Sequence, residues 1–71
     1  MKRVFVSDET TVAEIADRMG ASGADVIRAG FEELGLLLTI EDRPGFQRLN
    51  QLAAHFSFRA VRDEGEAGGE G

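Results

Sequence analysis

Apolar residues recur at helical spacing three times along this 71-residue chain. Val12, Ile15, Ala16 and Met19 fall at i, i+3, i+4 and i+7, one stripe of a helix. Ile27, Gly30, Phe31 and Leu34 repeat that stripe, and Val26 widens it. Phe46, Leu49, Leu52, Ala53 and Phe56 form the third. Three shorter runs have strand character. Lys2 to Val6 alternates, with Val4 and Val6 on one face and Phe5 on the other. Leu36 to Ile40 has no polar residue before Thr39, which predicts a strand buried on both faces. Ser57 to Arg62 alternates loosely, with Phe58 and Ala60 on one face. The predicted order is β-α-α-β-α-β. Short strands need cover for their apolar face, and amphipathic helices supply it. The expected fold is therefore α+β: a small βααβαβ domain with three helices packed on a short three-stranded, mostly antiparallel sheet.

The helix ends are marked. Thr11 and Glu14 have the spacing of a capping box, and Gly20 stands where a C-cap glycine would. Ser22 opens the second helix, with Asp25 in its first turn, and Gly35 closes it. Asp42 and Pro44 mark the start of the third. Gly30 inside the second helix costs about 1 kcal/mol relative to Ala. A close crossing or a kink would account for it.

Composition narrows the class. A chain this short is one domain, near the lower limit for folding unaided. It has no cysteine, so neither a disulfide nor a thiolate metal site is available. That suits a reducing, cytoplasmic setting. No apolar run is long enough to span a bilayer, and no signal-peptide pattern opens the chain. Of the net charge of −5, four units come from Asp63, Glu64, Glu66 and Glu70. Residues 1–62, the expected domain, hold eight basic and nine acidic residues. The Gly- and Glu-rich residues 63–71 read as a flexible tail or the start of a linker.

No catalytic constellation is evident, and neither a cofactor nor a metal is expected. His55 is the single histidine, near the end of the third helix, where a surface position suits the helix dipole. No glycine-rich phosphate loop ending in Lys-Ser or Lys-Thr is present. Glu32 and Glu33 are helical neighbours that point in different directions, so they read as solvated surface rather than an acid/base pair.

The first two helices have helix-turn-helix spacing: Ile15-Ala16 pack, Gly20 turns, Ser22 caps and Val26 anchors the second helix. A helix-turn-helix regulator of DNA is one reading. Its recognition surface would be Gly23, Ala24, Asp25, Arg28, Ala29, Glu32 and Glu33, with one base against three acids. Phosphate contacts need several Lys or Arg, so DNA is disfavoured as a partner. A plain protein-interaction domain is another reading. Arg18, Arg28, Arg43, Arg48, Arg59 and Arg62 are candidates for contact with RNA or another partner. Surface Phe would support stacking on RNA, but periodicity assigns most Phe to the core.

Four segments together resemble a known module. Thr11 to Gly20 (TVAEIADRMG) is similar to the TVxxLAxxMG opening of the N-terminal domain of bacterial translation initiation factor two. The Val26-Ile27 pair and the Leu34-Gly35 ending follow in order, then Leu36 to Ile40 as an apolar strand ending in Thr-Ile. Leu52 to Phe58 (LAAHFSF) is similar to a closing helix that ends aromatic-Gly-Phe, with Ser57 in place of the customary Gly. Glu41-Asp42 stands where the family usually has Asn, and the second helix lacks its basic pair. The resemblance covers about residues 4–62. It implies a non-catalytic, tethered accessory domain that assists docking on the small ribosomal subunit, through RNA or protein, or on the rest of the factor. It implies no membrane and no small-molecule substrate.

Overall fold

The computed structural model describes residues 1–63. Its elements are β1 (Lys2–Val6), α1 (Val12–Met19), α2 (Gly23–Leu34), α3 (Phe46–His55) and β2 (Phe58–Arg62). The two strands pair in parallel, with Arg3 opposite Arg59, Val4 opposite Ala60 and Phe5 opposite Val61. The ladder runs on past β2, since the Asp63 N–H donates to the Val6 carbonyl at 2.9 Å. The remainder of the expected tail, residues 64–71, lies outside the described residues.

The α+β class and the three helices stand. The three-stranded, mostly antiparallel sheet does not: it is a parallel pair joining the first strand to the last. Leu36 to Ile40, expected as a doubly buried strand, is a connecting segment, with Leu37 84% and Ile40 49% exposed. Its carbonyls have another use. The first N–H groups of an α-helix lack partners within the helix. Here the Ala13 N–H donates to the Ile40 carbonyl and the Val12 N–H to the Asp42 carbonyl, at 2.9 and 3.0 Å. The far end of the connection thus serves as the N-terminal cover of α1. Asp42 turns the chain by accepting the Thr39 N–H on Oδ2 at 2.9 Å. That turn delays α3, which starts at Phe46 rather than around Asp42 and Pro44.

The expected caps form. Thr11 and Glu14 make the capping box reciprocally, Ser22 Oγ accepts the Asp25 N–H, and Gly20 and Gly35 take left-handed φ of 72° and 67°. Gly30 answers to a close approach: a Cβ there would lie 2.6 Å from Leu38 Cδ1. Ser57 also has a left-handed φ of 67°, between α3 and β2. Glycine takes that conformation without the Cβ penalty. Ser57→Gly is expected to raise stability by about 0.5–1 kcal/mol, read as a higher urea midpoint.

Val4, Val6 and Ala60 of the sheet pack on Val12, Ile15 and Ala16 of α1, Val26 and Ala29 of α2, and Leu49, Leu52 and Ala53 of α3. No phenylalanine reaches this buried set. Phe46, Phe56 and Phe58 are half-buried against it, and Phe5 and Phe31 are 50% and 57% exposed. The expectation that most Phe are core is corrected accordingly. Ala29, read as exposed on α2, is buried.

Both strands are edge strands, and each outward edge is met by a side chain. Arg18 Nη1 donates to the Phe5 carbonyl at 2.7 Å, and Asn50 Oδ1 accepts the Ala60 N–H at 3.0 Å. Bare edges invite pairing with other chains. Asn50→Ala strips the partner from the N–H of a buried residue, and such a loss costs about 1–3 kcal/mol. The expected result is a lower denaturation midpoint and faster amide exchange at Ala60.

Candidate interaction surface

The six candidate arginines do not gather at one place. Arg18, at the end of α1, is held on the free edge of β1 by its bond to the Phe5 carbonyl. Arg43 donates from Nε to the Glu9 carbonyl at 3.2 Å and lies 3.8 Å from the Glu9 carboxylate, tying the α2–α3 connection to the β1–α1 loop. Arg62 Nη1 is 3.4 Å from Asp8 Oδ2, and its guanidinium lies 4.3 Å from the centre of the Phe46 ring. These three have intramolecular duties. Among the described residues, Arg28, Arg48 and Arg59 form no ion pair, and all three are exposed. Arg28 lies on α2, Arg48 near the start of α3 and Arg59 on β2, so they belong to different faces.

Arg3 was absent from the candidate set, and pairing register places it opposite Arg59. The signal that could have found it was the alternation of β1: if Val4 and Val6 point inward, Arg3 and Phe5 point outward. Knowing that β1 pairs with the last strand requires the tertiary fold.

Asp8 was likewise missed. The N-cap position of α3 is Gly45, which offers no side chain, and Asp8 supplies the acceptor from a distant loop. Its Oδ1 accepts the Phe46 N–H at 2.8 Å, while Oδ2 faces Arg62. The Phe46 N–H bond and then the Arg62 guanidinium hold the Asp8 carboxyl below its ordinary value of 3.8. Glu14 is held below 4.5 chiefly by the Thr11 N–H, with Arg18 adding a smaller effect. Carboxylates whose pKa is lowered by folding contribute stability above their unfolded values and lose it as pH falls through the folded ones. The domain is therefore expected to hold its urea midpoint above the ordinary carboxylate values and to lose stability progressively as pH falls below them. The double variant Asp8→Asn, Glu14→Gln should flatten that acid limb.

His55 is the one expected surface histidine, and it has a specific partner. Its Nδ1 lies 2.9 Å from Glu33 Oε2, so it links the end of α3 to α2. Glu33 is thereby a cross-helix contact as well as surface. The exposed face of α2 presents Asp25, Arg28, Glu32 and Glu33. This face carries three carboxylates against one guanidinium. Among the described residues, no group of three or more His, Cys, Asp or Glu is placed to hold a metal ion. No described helix is long and apolar enough to cross a membrane.

Comparison with protein-family models, with curated proteins and with solved structures returns no match.

Proposed function

We propose that this chain is a non-catalytic docking domain, of the kind found at the N-terminus of bacterial translation initiation factor two, acting in the cytoplasm on the small ribosomal subunit or on the rest of such a factor. The observation that carries the reading is the order of four sequence motifs: TVAEIADRMG, Val26-Ile27 with Leu34-Gly35, LLLTI, and LAAHFSF. Ser57 adds support, since its left-handed φ makes glycine, customary there in that family, the natural residue. The LLLTI segment contributes by sequence only, because here it is a connection.

A domain of this size with surface depressions lined largely by charged side chains suits a weak, tethered binding step. Linking a weak module to a larger factor raises avidity through effective concentration, without high affinity of its own. The Glu- and Gly-rich residues that follow Asp63 have the composition of such a tether.

The test is co-sedimentation of the labelled full chain with purified small ribosomal subunits at low salt, alone and fused through residues 63–71 to the remainder of an initiation factor. Saturable association of the free chain, or tighter association of the fusion than of the factor without the domain, is expected. Absence of both rules the ribosomal role out.

A further inference from the structure

The outer face of the sheet is left uncovered by the three helices, and it combines basic side chains with an aromatic ring. Val4, Val6 and Ala60 are buried, so the opposite face carries Arg3 and Phe5 from β1 and Arg59 and Val61 from β2. Arg3 and Arg59 are register partners, and so are Phe5 and Val61. Like charges directly opposite on paired strands destabilise a sheet. Among the described residues neither Arg3 nor Arg59 has an ion-pair partner to relieve that repulsion. Beside them Phe5 is 50% exposed although the buried core lies one residue away on either side. Arg18 borders the same face, fixed on the β1 edge by its bond to the Phe5 carbonyl, and lines a shallow depression with Arg3, Phe5 and Asp63. Among the described residues, Asp63 is the one acid lining that depression.

We propose that this face binds unpaired nucleic acid, with Phe5 stacking on a base and Arg3 and Arg59, side by side in the neighbouring row of the sheet, contacting the adjoining backbone phosphates. Among the described residues, three guanidiniums against one carboxylate give the face a positive balance in a chain whose net charge is −5. A half-exposed ring on an open sheet face matches how unpaired bases are held, since every base offers a flat surface to an aromatic side chain. A duplex would not use the ring, because its bases are already stacked. An acidic peptide would satisfy the arginines but gains no comparable contact from the flat ring. The proposal does not depend on ribosome docking: it concerns a free strand and a different measurement.

The chain has no Trp and no Tyr, which gives a direct probe. Phe5→Trp in the full chain introduces a single indole on the proposed face. Adding a short unstructured oligouridylate at low salt is expected to quench its fluorescence in a saturable way. In unmodified protein, binding should be seen by anisotropy of a labelled oligonucleotide. Phe5→Ala should weaken it by about 5- to 150-fold, the range for losing one stacked base. Each phosphate contact on a single strand contributes about 0.7 to the slope of log affinity against log salt, so Arg3→Gln and Arg59→Gln should each flatten it by about that amount. All three side chains are exposed, so these variants are expected to fold, and circular dichroism checks this. Amide shifts on titration should centre on β1 and β2. No binding by the folded unmodified chain, binding indifferent to Phe5→Ala, shifts confined to α2 or α3, or equal competition by polyglutamate would each overturn the proposal.

Discussion

Leu52→Ala is expected to remove about half or more of the protein's stability. Leu52 is fully buried on α3, and the core it belongs to is small: eleven apolar residues, four of them alanines. Removing a buried leucine side chain costs about 2–5 kcal/mol, as lost transfer energy plus an unfilled cavity. A domain of this length sits at the low end of the stability range, near about 5 kcal/mol. No phenylalanine is available at the centre to swing into the space, since all five stand at or near the surface. The measurement is a urea titration against the unmodified chain, with Leu37→Ala as the control. Leu37 is 84% exposed, so its loss should shift stability by no more than about 0.5 kcal/mol. Similar midpoints for the two variants would mean that the described core is wrong.

Gly30→Val has the second-largest expected effect, and its cause can be isolated. Even a Cβ at this position would lie 2.6 Å from Leu38 Cδ1 and 3.4 Å from its Cγ, with Leu52 Cδ2 at 3.7 Å beyond. A branched side chain must push the Leu38 side chain away from α2. Overpacking of this kind costs about 1–3 kcal/mol. That outweighs the gain of up to about 1 kcal/mol from removing glycine from a helix interior. The contact is local, so Leu38→Ala should recover part of the loss. In a double-mutant cycle the two changes should couple by about 0.5–3 kcal/mol in the favourable sense. Simple additivity would place the strain elsewhere. A further consequence follows for α1, whose first N–H groups are bonded to the same connection at Ile40 and Asp42. Displacing Leu38 should therefore also speed amide exchange at Val12 and Ala13.

The local rules carried the helices well. The capping box at Thr11, the Ser22 cap and the two left-handed glycines are contacts within a few residues, and each is written in residue type and spacing. Leu36 to Ile40 shows where such reading stops. A short apolar run has the same appearance whether it pairs in a sheet or lies against a helix. What decided the matter was Gly30, which opens a slot for Leu38, together with the unpaired N–H groups of α1. Strand direction was also beyond local reading, since nothing in Lys2–Val6 shows that its neighbour is fifty-odd residues away and parallel. The outward arginine and phenylalanine of β1 were visible as alternation. Their pairing with Arg59 and Val61 was not, so the candidate arginines were chosen by charge and scattered over several faces. Asp8 is the same case. A carboxylate capping a helix that begins thirty-eight residues later leaves no trace in spacing.

Pairing the first strand with the last has a consequence for how the chain comes into being. β1 is synthesised before its sheet partner, which among the described residues is Phe58–Arg62 alone. Closing so long a loop must be offset by contacts that do not yet exist, which slows formation of such long-range pairs. A nascent chain halted before residue 58 would have all three helical segments and a β1 whose ladder to Val6 has no donor at Asp63. Arrested translation products ending at residues 55 and 63, each extended by the same spacer, should therefore differ sharply in protease resistance while bound to the ribosome. The sheet therefore cannot close until Phe58–Arg62 has been synthesised.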